Sequence, residues 1–385
     1  MQNNTLSRAD LSNETGIAKN VHYGDVLIKF GDVLDVSREQ LPMIKDEKIL
    51  DKYKASFLQN GDVIIADTAE DTTVGKCSEI AGLRDEVVLS GLHTIPYRPV
   101  EKFATGYLGY YLNASAYHDQ LIPLMQGIKV TSISKYAMQD TDIVYPKSIE
   151  EQAMIGSYFQ SLDHLITLHQ RKCDQTKNLK KYMLQKMFPQ NGAKVPEIRF
   201  DGYTYDWEQR KFGELYSKVS EKNDLSFGAD KIISVANMYF KEEVKESSDE
   251  YMRTYNVMRL GDIAFEGNKS KNYSHGRFVE NTIGDGIVSH VFDVFRPTTS
   301  YDLLFWKYLI NNEGVMGRIM ARCTNASTMM TNLVASDFLK EKILVPSLKE
   351  QKKIGAYFDS LDHLITLHQR QTDFYKKISF YYISS

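Results

Sequence analysis

The segment from Lys269 to Arg277 concentrates side chains that could bind nucleic acid. It runs Lys-Ser-Lys-Asn-Tyr-Ser-His-Gly-Arg, with three Lys or Arg residues and no acid. Lysine and arginine neutralise phosphates, whereas asparagine and arginine also hydrogen-bond to base edges in the major groove of DNA. A solvated loop with incidental charge is the alternative interpretation. The candidate DNA contacts are Lys269, Ser270, Lys271, Asn272, Tyr273, His275 and Arg277.

Three further segments are candidates for the same role. Asp67–Lys76 has the corresponding position in the first half of the chain, but it is acidic, and repulsion from phosphate favours a loop without DNA contact. Met125–Ser132 and Arg318–Ser327 are polar loops expected just before the last strand of each domain, where DNA contact and simple solvation are both open. The residues concerned are Thr72, Thr73, Lys76, Lys129, Thr131, Ser132, Arg322, Thr324 and Asn325.

The sequence contains no recognisable catalytic or metal-binding motif. It has no phosphate-binding Gly-x-x-x-x-Gly-Lys-Ser/Thr loop, no His-Glu-x-x-His or Cys-x-x-Cys site, and no Gly-x-Ser-x-Gly turn. Cys77, Cys173 and Cys323 lie far apart, which predicts free thiols rather than metal ligands. We therefore expect a non-catalytic chain without a metal or cofactor of its own. An enzyme with dispersed catalytic groups is the alternative.

The composition is that of a globular protein in a reducing compartment. A chain of 385 residues can form two domains, and its 42% hydrophobic and 25% charged residues are ordinary values. The formal net charge of -3 means that any DNA contact depends on local basic patches. No run of about 18 apolar residues is present, and Met1–Ser7 lacks the apolar core of a signal peptide. We expect a cytoplasmic protein.

The chain contains an internal repeat, and we expect the repeated elements to position the candidate loops. The eleven residues Ser161–Arg171 recur unchanged at Ser360–Arg370, and Glu151-Gln152 recurs at Glu350-Gln351. The repeat unit is about half the chain, which is far too long for a solenoid. Two variable segments, each followed by a nearly invariant one, predict a pseudo-two-fold molecule.

The repeated segment has the pattern of a long amphipathic helix. Ser148 and Glu151 form a capping-box pattern, and Phe188-Pro189 is a terminator, so about 38 residues make a rod of roughly 57 Å. Apolar residues at three- and four-residue spacing predict a coiled-coil seam or core. For Asp163, His164, His169 and their copies, solvation and partner contact are both open. The seam residues are Ile155, Phe159, Leu162 and Ile166, and in the second copy Ile354, Phe358, Leu361 and Ile365.

The rest of the chain predicts an α+β protein in which two similar mixed α/β domains alternate with two long helices. Matching Gly-Asp pairs at Gly61 and Gly261 start strands in the two domains. The predicted regions are a first domain (1–146), a central helical region (147–189), a second domain (190–346) and a C-terminal helical region (347–385). The predicted strands are Val26–Phe30, Gly61–Ala66, Val87–Leu89, Ile143–Tyr145, Lys231–Val235, Gly261–Phe265, Val291–Phe295 and Ile343–Val345, with a helix over Phe103–Tyr117.

These patterns resemble the specificity (S) subunit of type I restriction–modification systems over nearly the whole chain. The resemblance is carried by Pro146–Ile166 and its copy Val345–Ile365, by Trp207–Leu215, which is similar to the family's domain-opening motif, and by Lys180–Phe188, which is similar to its central helix end.

The resemblance implies that each domain is a target recognition domain for one half of a split sequence in double-stranded DNA. It implies that the two helices pack as an antiparallel coiled coil that fixes the spacer. It also implies two methylation (M) subunits and restriction (R) subunits as partners, which would carry S-adenosylmethionine, ATP and Mg²⁺. A structural coiled-coil protein that binds other proteins and no DNA is the alternative function.

The chain departs from the family pattern at two places. The first domain has no clear counterpart of Trp207–Leu215, and Arg8–Gly16 stands at the corresponding distance. We expect either that this opening strand has diverged or that the N-terminus has been cut back. Ile378–Ile383 replaces the pattern of Leu179–Phe188, so fraying or poor pairing of the second helix is expected near its end.

Overall fold

The computed structural model describes residues 1–190, 192–242, 248–326 and 330–384. The chain forms two compact units, unit 1 with residues 1–170 and 369–385, and unit 2 with residues 171–368. Each of two long helices contributes residues to both units. No helix in the described ranges is apolar over enough of its length to span a bilayer.

Unit 1 combines short strands with short helices. Its strands are β1 (Ala18–Val21), β2 (Val33–Asp35), β3 (Met43–Ile44), β4 (Val63–Ala66), β5 (Thr68–Ala69), β6 (Cys77–Ala81), β7 (Val88–Ser90), β8 (Thr94–Tyr97) and β9 (Thr131–Ser132). Its helices are α1 (Tyr23–Ile28), α2 (Glu47–Tyr53), α3 (Tyr107–Asn113), α4 (Ser115–Leu121) and the first part of α5 (Ile149–Lys186). Four turns of 3-10 helix lie at Arg8–Asp10, Lys54–Ser56, Ile122–Leu124 and Ala137–Asp140.

Unit 2 has the same mixed character. Its strands are β10 (Glu208–Lys211), β11 (Tyr216–Val219), β12 (Ile233–Ser234), β13 (Tyr239–Phe240), β14 (Asn256–Met258), β15 (Ile263–Glu266), β16 (Arg277–Glu280), β17 (Gly286–Val288), β18 (Val294–Pro297), β19 (Thr324–Ala326), β20 (Thr331–Leu333) and β21 (Lys342–Val345). Its helices are α6 (Phe212–Leu215), α7 (Asp249–Met252), α8 (Leu303–Ile310), α9 (Glu313–Cys323), α10 (Ala335–Phe338) and most of α11 (Leu348–Ser384). A 3-10 turn lies at Ala229–Lys231.

A four-stranded sheet divides the core of each unit. The strand order is β2-β6-β4-β8 in unit 1 and β11-β18-β15-β16 in unit 2. Because side chains alternate across a strand, Val63 and Ile65 enter one apolar cluster while Ile64 enters the other. In unit 2, Ile263 and Ala264 divide in the same way. Apolar side chains of β4 and β15 therefore face the core on both sides of the sheet.

The aspartates of the two Gly-Asp pairs form ion pairs with arginines at matching positions. Arg98 lies 2.7 Å from the buried Asp62 carboxylate, and Arg296 lies 2.9 Å from that of Asp262. Each pair joins the end of one strand to the start of a neighbouring strand. The matching contacts support the prediction that the two halves share a common sheet plan.

Three predicted elements differ from the structure in type or number, and two predicted strands are shorter: Lys231–Val235 is a strand only at Ile233–Ser234, and Val291–Phe295 only from Val294. Val26–Phe30, predicted as a strand, lies in and after helix α1, whose N-cap is His22; Val26 and Phe30, four residues apart, both enter the core. Ile143–Tyr145 is not a strand. Phe103–Tyr117 contains two helices, because Ala114 is extended and separates α3 from α4.

The two long helices agree with the predicted pattern. Helix α5 has 38 residues, and the Ser148 hydroxyl accepts a hydrogen bond from the Glu151 N–H at 3.2 Å. Helix α11 is continuous to Ser384. In unit 1, His169 of α5 stacks on Tyr375 of α11 with 5.7 Å between ring centroids.

Contacts between the helices within unit 2 follow an antiparallel order. The Cys173 thiol lies 3.9 Å from the Ile365 carbonyl oxygen, and the Lys180 ammonium lies 2.5 Å from the Asp362 carboxylate. Further along α5, towards Lys186, the contacts therefore move back towards the start of α11. The Lys180–Asp362 pair is half-buried, so salt and solvent screen it less than they would an exposed pair.

The predicted seam residues pack largely against the sheet-containing part of their own unit. Phe159 stacks on Tyr110 of α3 at 5.2 Å, and Ile155 packs against the apolar cluster that contains Leu108 and Leu112 of the same helix. Ile354 and Phe358 belong to the main core of unit 2. The apolar stripe thus anchors each helix to a sheet, in addition to any helix–helix seam.

Repeated polar residues anchor the helices as well. The amide oxygen of Gln152 accepts the Ala104 N–H at 3.0 Å, and that of Gln351 accepts the Asp302 N–H at 3.1 Å. Both glutamines are buried, where an unpaired amide group would be costly. The repeated Glu-Gln motif therefore has a structural role that its sequence alone did not indicate.

Repeated glycines give a first test of this anchoring. A Cβ at Gly355 would lie 2.6 Å from Asp302 Oδ1, which caps α8, and 2.7 Å from the Phe305 nitrogen. A Cβ at Gly156 would meet its nearest atoms only at 3.3 Å. We expect Gly355→Ala to lower the free energy of unfolding by about 1–3 kcal/mol. Gly156→Ala should cost less, because a gain of about 1 kcal/mol in helix propensity offsets it.

Hydrogen exchange of core amides in each unit would measure both glycine variants. Equal effects of the two substitutions would contradict the difference in packing between the two copies.

Candidate nucleic-acid interface

The basic segment of unit 2 is an exposed loop between two paired strands. Residues 267–276 connect β15 to β16, a strand that was not predicted from the sequence. Ser270 and Tyr273 close a tight turn through two backbone hydrogen bonds of 2.9 and 3.2 Å. Lys271 and Asn272 stand exposed at its tip. The turn thus presents a cation and an amide together.

The second candidate segment of unit 2 lies beside this loop. The hairpin β19–β20 follows α9, and the Thr331 N–H donates to the Gly267 carbonyl at 2.8 Å. The Thr331 hydroxyl also lies 3.1 Å from the His275 carbonyl. Two segments that are far apart in sequence therefore form one surface, on which Asn325 is exposed.

Part of the predicted Arg318–Ser327 loop is helical. Arg318 and Arg322 lie on α9, whereas Thr324–Ala326 form strand β19 of the hairpin. Ser327 lies outside the described residues. The helix forms because Met316, Ile319, Met320 and Cys323 recur at three- and four-residue spacing and are buried.

Arg277 has close partners within its own unit. Its guanidinium lies 2.8 Å from Glu266 and 2.5 Å from the Ala236 carbonyl, and its centre lies 5.1 Å from the Tyr273 ring. Burial is the largest single influence on the pKa of Arg277 and lowers it, but the hydrogen bond and charge of Glu266 together with Tyr273 outweigh burial, so the pKa is raised. These contacts of Arg277 stabilise the base of the loop.

Two residues near the hairpin are also engaged. Arg322 makes a two-pronged ion pair with Glu341 at 2.9 and 2.6 Å. The Thr324 hydroxyl donates to the Met320 carbonyl at 2.6 Å. Lys269 is exposed but has an interaction of its own, so its charge is not free. Lys271, Asn272 and Asn325 are the most accessible candidates in unit 2.

Unit 1 brings its two candidate segments together in the same way. Strand β5 pairs with β9, with Thr68 opposite Ser132 and Ala69 opposite Thr131. Lys129 is exposed just before β9. The predicted segments 67–76 and 125–132 are therefore adjacent, as their counterparts are in unit 2.

The charge of this surface in unit 1 differs from that in unit 2. The Lys76 ammonium donates to the Leu27 carbonyl at 2.9 Å, and burial lowers its pKa. Thr72 and Thr73 are exposed, with the Thr73 hydroxyl donating to the Asp71 carboxylate at 2.5 Å. Lys129 is thus the accessible cation among the predicted contacts of unit 1, beside an acidic loop.

Each of the repeated aspartates accepts a hydrogen bond from a tyrosine of its own unit. The Tyr110 hydroxyl donates to Asp163 at 2.6 Å, and the Tyr308 hydroxyl donates to Asp362 at 2.7 Å. Burial and this hydrogen bond raise the pKa of both tyrosines. Each aspartate ties its long helix to a helix next to the sheet. Tyr110 and Tyr308 recur at nearly the distance of the repeat, and this recurrence was the sequence signal that could have identified the contact.

The described residues contain no group of three or more His, Cys, Asp or Glu side chains that could hold a metal ion.

Comparisons with known proteins agree with a recognition surface. A model of the type I restriction modification DNA specificity domain matches residues 205–373, which include the basic loop and hairpin of unit 2. The comparison with curated proteins gave no match.

Two solved structures are similar to the chain. The S subunit of a type I restriction-modification system from M. genitalium aligns with a TM-score of 0.54 and 11% identity, over 100% of this chain and 91% of that one. The HsdS subunit from Thermoanaerobacter tengcongensis aligns with a TM-score of 0.48 and 17% identity, over 85% of this chain and 80% of that one. The first of these shows a shared fold. Residues 205–373 are similar to the type I restriction modification DNA specificity domain, which agrees with the resemblance seen in the sequence.

Proposed function

We propose that the chain is the non-catalytic DNA-recognition subunit of a type I restriction–modification enzyme in the cytoplasm. Each unit contacts one half of a bipartite target in double-stranded DNA. The observation that carries this proposal is the pairing of two candidate loops into one surface in both units, through β5–β9 in unit 1 and through the Gly267–Thr331 contact in unit 2.

The long helices have a separate role in this proposal. They pack as an antiparallel coiled coil, relate two similar target recognition domains by a pseudo-two-fold axis, and set the distance between the half-sites. The nearly identical helices provide matching surfaces for two methylation subunits, and restriction subunits complete the assembly. S-adenosylmethionine, ATP and Mg²⁺ then belong to those partners.

Co-expression with a type I methylation subunit from the same genome tests the proposal. Mapping of methylated bases should yield a split motif with a fixed gap. An intact complex without methylation would count against DNA reading by these units. If no complex forms, the helices do not recruit the methylation subunit and a structural coiled-coil role is favoured.

The accessible loop of unit 2 gives a residue-level prediction. Lys271→Ala should weaken binding of target duplex and reduce the salt slope by about one. Neutralising a phosphate releases one condensed counterion, so one lost contact lowers that slope. Fluorescence anisotropy over a salt series measures both quantities.

Lys211→Ala is the matched control for this measurement, since Lys211 is exposed but lies outside both loops. Arg277→Ala should act differently and reduce the stability of unit 2, because it leaves Glu266 without its cation. Equal duplex affinities of the Lys271 variant and the unmodified chain would remove this loop from the interface.

A further inference from the structure

Unit 2 contains a segment that closes its sheet and has no counterpart at the same place in unit 1. Residues 207–219, here called the opening segment, form β10, α6 and β11. Strand β10 pairs with β21, and β11 pairs with β18 at the edge of the four-stranded sheet. Trp207, Phe212, Leu215 and Tyr216 from this segment are all buried.

Large side chains of the opening segment fill the space above helix α8 and the sheet. The Phe212 ring lies 4.4 Å from that of Phe338, and the Tyr216 ring lies 5.4 Å from that of Trp306. The Thr298 N–H donates to the Leu215 carbonyl at 2.8 Å. The segment thus supplies both apolar contacts and backbone pairing.

The corresponding edges of unit 1 are unpaired in the structure. Residues 142–145 correspond to β21 but belong to no strand, and β8 pairs only with β4 among the described strands of unit 1. Val100, which corresponds to Thr298, is fully exposed, and Val144 is 76% exposed. Exposed apolar residues beside a free strand edge favour pairing with another segment.

An apolar cleft occupies the place of the opening segment in unit 1. Its volume is about 340 Å³, and its lining includes Leu108, Leu112, Met138 and Ile143. Met138 and Leu108 stand where unit 2 has Phe338 and Trp306, so smaller side chains enlarge the space. The N-terminal residues do not fill it, since Arg8 pairs with Asp25 and Ser12 bridges to Met43.

A repeated glutamate lies near α3, the helix whose Leu108 and Leu112 line the cleft. In unit 2, the buried Glu350 carboxylate accepts from Arg199 at 2.7 and 2.9 Å and lies 3.4 Å from the Trp207 indole nitrogen. Its copy in unit 1, Glu151, is exposed. Burial, Tyr111 and then the Glu151 carboxylate raise the pKa of Tyr107, which lies on α3, to about 12. An arginine and an indole N–H beside Glu151 would reproduce the hydrogen bonds that Glu350 accepts in unit 2.

We propose that the cleft of unit 1 is a docking site for a separate polypeptide segment with the chemistry of residues 195–219. Such a segment carries an arginine for Glu151, a tryptophan, and a Phe-Gly-x-Leu turn for the apolar space. It adds a strand against residues 142–145 and a second strand against the edge of β8. Main-chain pairing gives affinity in this mode, and side-chain pockets give specificity.

A labelled peptide of residues 195–220 added to the full chain tests the proposal without DNA, so its result is independent of the proposed function. We expect saturable one-to-one binding, with hydrogen-exchange protection at 97–100 and 142–145. Ile143→Asp should weaken binding at least tenfold, since Ile143 lines the cleft but is 44% exposed and tolerates a charge. Ile28→Asp, at an exposed apolar residue elsewhere in unit 1, should leave binding unchanged.

A peptide with Phe212→Asp should not bind. Absence of saturable binding, or equal binding by the Ile143→Asp chain, would overturn the proposal. A purified chain that forms dimers protected at 142–145, and that Ile143→Asp makes monomeric, would assign the cleft to a second copy and also overturn it.

Discussion

Replacing Phe358 with alanine should lower the free energy of unfolding of unit 2 by about 3–5 kcal/mol. The side chain is fully buried, and its ring lies 5.9 Å from that of Phe188 and 5.1 Å from that of Tyr308. Removing it leaves a cavity where the end of α5 and the start of α11 meet the core of unit 2. The loss combines transfer free energy with the cost of the cavity.

Tryptophan fluorescence during denaturation measures this effect selectively. The chain has two tryptophans, Trp207 and Trp306, and both are buried in unit 2. Phe159→Ala, at the same position of the first repeat, is the matched control. Phe159 is only half-buried, so we expect roughly 1–2 kcal/mol, measured by hydrogen exchange in unit 1. A loss below 1 kcal/mol for Phe358→Ala would contradict the packing around this ring.

The long helices were predictable because their determinants are local. A capping serine, apolar spacing of three and four residues, and Phe188-Pro189 at the end all act within one segment. Val26–Phe30 was misjudged because a short apolar run fits a strand and a buried helix equally well. Ile143–Tyr145 has strand-forming residues, but a strand exists only with a partner, and the partner of its counterpart is the distant β10.

The candidate site was predictable in its segments and not in its individual charges. Residue types marked both loops of each unit, and the structure brings each pair of loops together. Whether a charge is accessible depends on residues far away in sequence. Arg277 bonds to the Ala236 carbonyl as well as to Glu266, and the partly buried Lys76 donates a hydrogen bond to the Leu27 carbonyl. Composition alone cannot distinguish such supporting charges from exposed ones such as Lys271.

The ion pair of Arg199 and Glu350 predicts the other large effect. Glu350 is buried and Arg199 nearly so, and two hydrogen bonds of 2.7 and 2.9 Å join them. Arg199→Ala leaves a buried carboxylate without its cation, which should cost about 3–5 kcal/mol. Denaturation followed by tryptophan fluorescence measures this cost directly, since Trp207 lies beside the Glu350 carboxylate.

Two variants separate the buried charge from the loss of side-chain packing. Adding Glu350→Gln to Arg199→Ala removes the stranded charge, so the double variant should be more stable than the single one. Arg210→Ala, which breaks an exposed pair with Glu214, should cost only about 0–1 kcal/mol. If Arg199→Ala cost no more than Arg210→Ala, Glu350 would not hold the opening segment in place. There would then be no reason to expect the exposed Glu151 of unit 1 to anchor a docked segment.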